Sequence, residues 1–477
     1  MGRYSRPVVK LSVVGHACMS VEAGELRLVV DPWLSGPIYW GAWSHCPELV
    51  YDDSIFEADH LFITHWHYDH FDANSLRRFR KDARVFVPRF PVSALADRLR
   101  ELGFQRVTEM VEARRYRLGP DFAITAFQIQ YLDDSVLVVE ADGVVVVDLN
   151  DAKPLPPSWR AIRRRFPRPD FMFRSHSPAW SFPTCYTFED EAEAVAVERD
   201  SYKAAFREAA RILEPRFAVP FASAVCHLHR EVWSENRNLV PSAEMADYLA
   251  RHPLPGRTEF VRMPHGASWS SESGFEGTER AAQLDFLTEV ERLAARREGE
   301  LARLYAVEDA VALDHSAFRD YFRQFLRSLG PFRRLLRSVW VFRLRRGETL
   351  EYWSVDFARS RVTQGTTEPE IYTSRIDVHP AVLSDALETR VVANIEIAKR
   401  WRVHVRKGGV TGHLLLWVLI SLFEAGYLTR RNLLTARFVA GYARRLPEVV
   451  HYVLLLVRVL RRGVSAAAET VSGVESH

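Results

Sequence analysis

The apolar triplet Leu61-Phe62-Ile63 runs straight into Thr64-His65-Trp66-His67-Tyr68-Asp69-His70, and no other feature limits the fold of this chain as sharply. The triplet reads as the end of a buried strand. Three imidazoles and one carboxylate then follow within six residues, so a sheet must release its chain here and present a concentrated ligand set from one loop. Neutral imidazole suits zinc and iron, and carboxylate suits harder first-row ions. In extended or turning backbone, alternate side chains share a side. His65 and His67 can therefore grip one ion, while Asp69 and His70 turn toward a second position.

Around that loop the pattern is one of short apolar runs and turns. Val8–Val14, Leu26–Val30, Val85–Val87, Phe122–Phe127, Val136–Val139 and Val144–Val147 read as strands, and Asp142-Gly143 reads as the hairpin turn between the last two. Helices are expected at about 73–81 and 91–102, and a long one from about Glu189 to Leu213. Meandering strands with interspersed helices fit an αββα sandwich better than a doubly wound parallel sheet. Farther along, two helices are expected between 278 and 328, then strands at Val339–Leu344, Tyr352–Phe357 and Glu370–Val378 with a turn at Gly347-Glu348. A helix at Ala381–Leu387, the stretch Val391–Arg402 and an apolar helix at 411–428 complete the pattern. The fold class is α+β, with an additional C-terminal α+β domain. The expected division is 1–265 catalytic, 266–330 helical connector, 331–463 C-terminal domain and 464–477 disordered tail.

The run His-Xaa-His-Xaa-Asp-His resembles the first metal motif of the metallo-β-lactamase superfamily. Gly15-His16-Ala17, Asp31-Pro32-Trp33-Leu34-Ser35-Gly36-Pro37, Ala58-Asp59, Pro220-Phe221-Ala222 and Ser374-Arg375-Ile376-Asp377-Val378 narrow the resemblance to the catalytic part of the CMP-N-acetylneuraminate hydroxylases. The resemblance implies an αββα metallo-β-lactamase sandwich over residues 1–265. The family enzymes also carry a Rieske iron–sulfur domain, and no matching segment is read here. The C-terminal pattern, curved strands and then an apolar helix, weakly resembles a sterol-carrier-type lipid-binding module. An ordinary α+β domain is the preferred reading.

What the superfamily needs beyond its first motif is a third His, a bridging carboxylate and a last His. Asp148 closes the Val144–Val147 run and Asp151 follows three residues later, so either can be the bridge. A strand end fixes a side chain better than a loop does, which favours Asp148. The last His is expected at His227 or His229, with the hydroxylase pattern placing it at His229, and His176 is a further candidate. The third His is missing. Its place holds Gln130, with Asp133 and Asp134 as possible oxygen substitutes. In the chloramphenicol-pathway β-hydroxylases a carboxylate replaces this His in a di-iron site. The expected cofactors are therefore two divalent ions, zinc or iron, or one ion where the first position is left short. His16 and Asp69 are the candidate catalytic residues: Asp69 to orient a water and pass a proton, His16 to orient a ligand or the substrate. Asp31 is expected to fix a ligand His by hydrogen bonding rather than to bind metal.

Composition bounds the partners. With 64 basic against 61 acidic residues, the net charge of +3 argues against a dedicated nucleic-acid binder. Cys18, Cys46, Cys185 and Cys226 are scattered without a CxxC pair, so they read as free thiols in a reducing compartment and offer no Rieske pairing. The start of the chain has no apolar signal region. Gly408–Phe423 falls short of the ~20 residues a membrane span needs, so a cytoplasmic protein is expected. Leu454–Arg462 reads as a core-packing helix, with membrane-surface contact the lesser alternative.

Three functions follow. The first is a metal-dependent hydrolase acting on a small, anionic substrate, for which Arg174, Lys203 and Arg230 are possible anchors. The second is a di-iron O₂-dependent hydroxylase drawing electrons from a separate ferredoxin or reductase, since no Gly-Xaa-Gly-Xaa-Xaa-Gly cofactor fingerprint is present. The third is a degenerate site that binds metal only structurally.

Overall fold

A computed structural model of the chain describes residues 8–129, 134–346 and 349–462. Gln130, Asp133, the expected turn at Gly347-Glu348 and the tail 464–477 lie outside the described residues. Two sheets stack face to face. One runs Gly274–Glu276, Ser268–Ser270, Val9–Val13, Met19–Ala23, Leu26–Val30, His60–Phe62, Arg84–Pro88, Arg106–Met110 in spatial order. The other runs Glu259–Phe260, Phe217–Pro220, Phe171–Arg174, Val144–Asn150, Asp134–Ala141, Phe122–Ile129, Arg115–Gly119.

Strand alternation sets what lies between the sheets and what lies outside them. Leu28, Val30, Phe62, Phe171 and Phe173 point inward into one shared core. Their neighbours point outward: Val29 and Leu61 pack under helices Ala73–Arg78 and Ala94–Glu101 through Leu76, Leu95 and Leu99. Met172 and Val147 pack under Pro156–Arg165, Arg199–Leu213 and Ser242–Arg251 through Ile162, Phe206, Ala210 and Met245. The result is the αββα sandwich. Asp142-Gly143 makes the expected hairpin, with both residues at positive φ (49° and 86°) as a tight two-residue turn requires.

Within each sheet one block is parallel. Leu26–Val30, His60–Phe62, Arg84–Pro88 and Arg106–Met110 run together, as do Val144–Asn150, Phe171–Arg174, Phe217–Pro220 and Glu259–Phe260. Val9–Val13 is antiparallel to Met19–Ala23, which is antiparallel to Leu26–Val30, so it shares their direction. The loops leaving these strands, at His16, Asp31, Thr64–His70, Asn150–Asp151, Ser175–His176 and Ala222, therefore leave by the carboxyl ends of their strands.

Several expected boundaries shift. Ser268–Ser270 and Gly274–Glu276 extend the first sheet beyond residue 265, pairing Lys10 with Ser270 and Leu11 with Trp269. Strands of three residues carry too little periodicity to be read from sequence. Three helices, Phe286–Arg296, Glu298–Asp309 and His315–Leu329, replace the expected two, because the chain breaks at Arg297 and restarts on the Asp314 cap. The helix expected from Glu189 begins at Arg199, since Asp190 caps a separate short turn.

The C-terminal sheet has the order Tyr186–Phe188, Trp401–Val405, Ser374–Val378, Val339–Arg346, Thr349–Asp356, Arg361–Gly365. Its first strand comes from within the sandwich half and so stitches the two halves together. Its core gathers Trp340, Trp353, Trp401, Trp417, Phe318 and Phe322 under helices His315–Leu329, Pro380–Thr389 and Val410–Glu424. Leu454, expected in a packed core, is 62 % exposed; the side chains beyond it are outside the description. Among the described residues no helix is long and apolar enough to cross a membrane.

Candidate metal centre

Asp31 anchors the centre. It follows Leu26–Val30 in a left-handed conformation (φ 44°) and is fully buried. Its Oδ1 accepts from the Thr64 backbone N–H (2.8 Å) and its Oδ2 from the Thr64 hydroxyl (2.6 Å) and His70 Nδ1 (2.7 Å). The loop after His60–Phe62 is thereby tied to the neighbouring strand at its first residue. The bond from Nδ1 fixes the orientation of His70 and, in the neutral ring, leaves the Nε2 lone pair for a cation. Asp31 takes the orienting role expected for it.

Two groups of donors form on this foundation. His16, Asp69 and His70 make one, and His65, His67 and Asp151 make the other; within each group the ligand atoms lie within 4.8 Å of one another. His16 Nε2 and His70 Nε2 each stand 3.3 Å from Asp69 Oδ2. His65 Nε2 and His67 Nδ1 are 2.9 Å apart, a separation at which two lone pairs repel unless a proton or a cation lies between them. Asp151 Oδ1 lies 3.4 Å from His70 Nε2 and so joins the two groups.

The electrostatics are those of a cage built for positive charge. Burial, reinforced by His70 and His67, holds the His65 imidazole well below its ordinary range, and burial lowers His67. Burial also opposes charge on His70, yet Asp69, Asp151 and Asp31 together push it well above the ordinary value. Asp69 is held well down by His70 and His16 against its burial. Asp148 and Asp134 are pushed well up, first by burial and then by Asp31 and Asp151 respectively. Within the two groups, His70 Nε2 and Asp151 Oδ1 are buried without a hydrogen-bond partner. Orphaned polar atoms of this kind are costly, and a cation would satisfy them. The donors present, four imidazoles and two carboxylates, fit two divalent ions.

The placement of the other expected residues is specific. Asp148, favoured as the bridge, is not in either group. It lies in the strand, paired with Leu137 and Phe173, and its Oδ1 accepts from the Asn150 N–H (2.9 Å). Asn150 then turns the chain in a left-handed conformation (φ 40°), its Oδ1 accepting from the Asp151 N–H, and brings Asp151 to His70. His227 and His229 are also outside both groups. His227 Nδ1 bonds the Ala42 carbonyl (3.0 Å), and its ring packs edge-on against Trp43 at 6.1 Å. His229 Nε2 lies 3.2 Å from Glu308 Oε2, in the seam with the C-terminal half. His176 is buried with both ring nitrogens unpartnered. With His16, His265, Cys46, Phe221 and Met263 it lines a cavity of about 90 Å³ behind the centre. Asp134 Oδ1 lies 3.7 Å from His65 Nδ1, at the edge of the group whose expected third His is absent.

Tyr39 was not foreseen. Its hydroxyl donates to Asp69 Oδ1 (2.7 Å) and accepts from the Tyr68 N–H (3.1 Å). Tyr39, Trp40 and Gly41 all have positive φ (52°, 54° and 74°). Two consecutive non-glycine residues in that region store strain, which tends to be kept where a side chain must be aimed. The Pro37-Ile38-Tyr39-Trp40-Gly41 segment offered only a weak turn signal.

Comparison with known proteins agrees with this fold. The β-lactamase superfamily domain matches residues 26–173. A Mycobacterium tuberculosis protein provisionally named as a Rieske 2Fe-2S iron-sulfur protein is 30 % identical over 237 residues, 47 % of this chain and 45 % of that protein. The cytidine monophosphate-N-acetylneuraminic acid hydroxylase of Danio rerio is 39 % identical over 84 residues, 17 % of this chain and 14 % of that enzyme. The chain thus spans less than half the length of these curated relatives. Among solved structures, CmlA, a diiron β-hydroxylase of Streptomyces venezuelae, covers 57 % of this chain and 55 % of its own at 21 % identity and a TM-score of 0.38. An isothiocyanate hydrolase from Delia radicum gut bacteria covers 54 % and 97 % at 15 % identity and a TM-score of 0.39. Both scores are too low to carry an inference of their own. On its matched residues and its sandwich architecture, this chain carries a β-lactamase superfamily domain of the metallo-β-lactamase fold.

Proposed function

We propose that the chain is a two-cation hydrolase acting on a small anionic substrate. The observation that carries this reading is Asp69. Its carboxylate sits between His16 and His70, is aimed by Tyr39, and belongs to one of two adjoining three-donor groups. His16, Asp69 and His70 would hold one ion, and His65, His67 and Asp151 the other. Bound there, two divalent ions supply Lewis acidity and lower the pKa of water to about 7.

The chain's own residues do the rest. Asp31 keeps the His70 lone pair turned inward. The Thr64 hydroxyl, 3.0 Å from His65 Nδ1, does the same for His65. Tyr39 donates to Oδ1 of Asp69 and so aims Oδ2 at the position between His16 and His70, where the carboxylate would hold an ion and orient its water. The near-complete burial of His65, Asp69 and His70 keeps bulk water from screening these charges.

A second reading is O₂-dependent hydroxylation at a di-iron pair, with electrons from a separate ferredoxin or reductase. The names of the curated relatives, a Rieske protein and a hydroxylase, favour it. Turnover of a panel of phosphate esters, carboxylic esters and lactones under strict anaerobiosis, with zinc or manganese and no reductant, separates the two. Clean hydrolysis supports the first reading. Product formation only with O₂ and a ferredoxin system overturns it in favour of the second.

A further inference from the structure

Three basic side chains were candidate anchors for an anion, and the structure separates them. Lys203 Nζ is engaged by Asp200 and Glu244, both at 2.6 Å. Arg230 pairs with Asp309 at 3.2 Å and lies over the Tyr305 ring. Arg174 is different. It is only 7 % exposed, yet its Nε and Nη1 are buried without a hydrogen-bond partner, and among the described residues no carboxylate pairs with it. An isolated buried guanidinium is among the most costly groups a fold can hold, and such charges persist where a counter-charge arrives.

Its position says where that counter-charge comes from. Arg174 is the last residue of Phe171–Arg174 and is the register partner of Asn150 across parallel strands. The Ser175 N–H donates to the Asn150 carbonyl at 2.7 Å. The next residue after Asn150 is Asp151, the carboxylate that joins the two donor groups, and Lys153 follows two residues later. Lys153 also has no ion pair among the described residues. Its Nζ stands 5.8 Å from the centre of the Trp180 ring, and the Arg174 guanidinium stands 5.8 Å from that of Trp159. Trp180 is 41 % exposed, so this corner opens to solvent. A free guanidinium, a free ammonium and two flanking indoles thus share the strand end that carries Asp151.

We propose that Arg174 and Lys153 form a subsite for an oxyanion, the phosphate or carboxylate of a substrate whose reacting bond is held at the neighbouring cation cage. This rests on the hydrolase reading for the role of the cage, but not for the existence of the subsite. Guanidinium and ammonium both recognise phosphoryl and carboxylate oxygens, with the guanidinium adding a planar fork of donors.

The test is calorimetric titration of the full chain with inorganic phosphate and, in a second arm, with acetate, each alongside metal analysis. Arg174→Gln and Lys153→Gln are expected to weaken oxyanion binding at least about tenfold at unchanged metal content, and Arg174→Lys to restore part of it. The stronger of the two arms identifies the oxyanion. Asp151→Asn is expected to lose metal and still bind the oxyanion. Wild-type affinity in both glutamine variants overturns the subsite, as does the absence of binding by the wild type in both arms. Loss of oxyanion binding in Asp151→Asn alone places the anion on the cations and also overturns it. Full metal retention in Asp151→Asn overturns the cage and leaves the subsite standing.

Discussion

Arg400 and Arg174 are both nearly sealed from solvent, at 1 % and 7 % exposure, and their surroundings could hardly differ more. Arg400 lies in the seam between the sandwich and the C-terminal sheet. Its guanidinium donates to both oxygens of Glu308, to Glu231 and to the Trp40 carbonyl, and Glu308 also reaches His229. Arg174 lies at the strand-end edge of the sandwich with two nitrogens unpartnered, in register with Asn150, the residue before Asp151 and its orphaned Oδ1. The Arg400–Glu308 network is a finished piece of structure, its guanidinium and carboxylate answered by the chain. The edge is unfinished, and on the proposal made above its charges would be answered by cations and an anion. The same contrast explains why His229 is unsuited to the cage: it already serves the seam.

Substitutions should expose that contrast, beginning with the largest effect. Asp69→Asn is expected to lower turnover by about 10²–10⁴-fold and to lower metal content, since it removes both a ligand and the group that orients the water. Arg400→Met is expected to do the reverse. It strands Glu308 and should cost about 3–5 kcal/mol in urea unfolding, with metal content preserved at temperatures where the fold persists. A small loss there would mean that the seam charges are not a structural unit.

How much of this was legible in the sequence depends on the kind of signal. The ligand loop could be read because strand-ending apolar residues and four ligand-type side chains are contiguous. The sandwich could be read because short apolar runs such as Leu26–Val30, separated by turns, stand out in the sequence. Asp151 was ranked below Asp148, because the left-handed turn at Asn150 that aims it leaves no pattern in the sequence. Tyr39 was missed for a similar reason, its direction being set by strained backbone between Pro37 and Gly41. His229 was expected as a ligand from the hydroxylase resemblance, and Glu308, which occupies its Nε2, lies 79 residues away. Long-range charge pairing is invisible to local pattern.

Smaller effects sharpen the comparison. Arg174→Met is expected to raise stability by about 1–3 kcal/mol, opposite in sign to Arg400→Met, because it removes a charge the chain leaves unanswered. A stability loss would reveal a structural partner and erase the distinction between edge and seam. Asp31→Asn should weaken metal affinity about 10–100-fold by freeing the His70 ring, as measured by competition with a chromophoric chelator.

The smallest expected effect is a pH dependence of the seam. Burial pushes the Glu308 carboxyl up, but His229 and Arg400 outweigh it and hold the group down at about 2, against an ordinary value of 4.5. Because the folded value is depressed, the native state binds fewer protons than the unfolded chain between these values. The stabilisation is fully present above about 4.5 and is lost as pH falls toward about 2. Unfolding free energies across that window should fall more steeply in the wild type than in Glu308→Gln.

The most direct test of the two-group cage is anomalous diffraction from crystals of the metal-loaded chain, collected at the zinc and iron edges. Two peaks are expected about 3.5–4 Å apart, one ligated by His16, Asp69 and His70 and the other by His65, His67 and Asp151. A peak ligated by His227 or His229, or no ion at these six side chains under saturating metal, would contradict it.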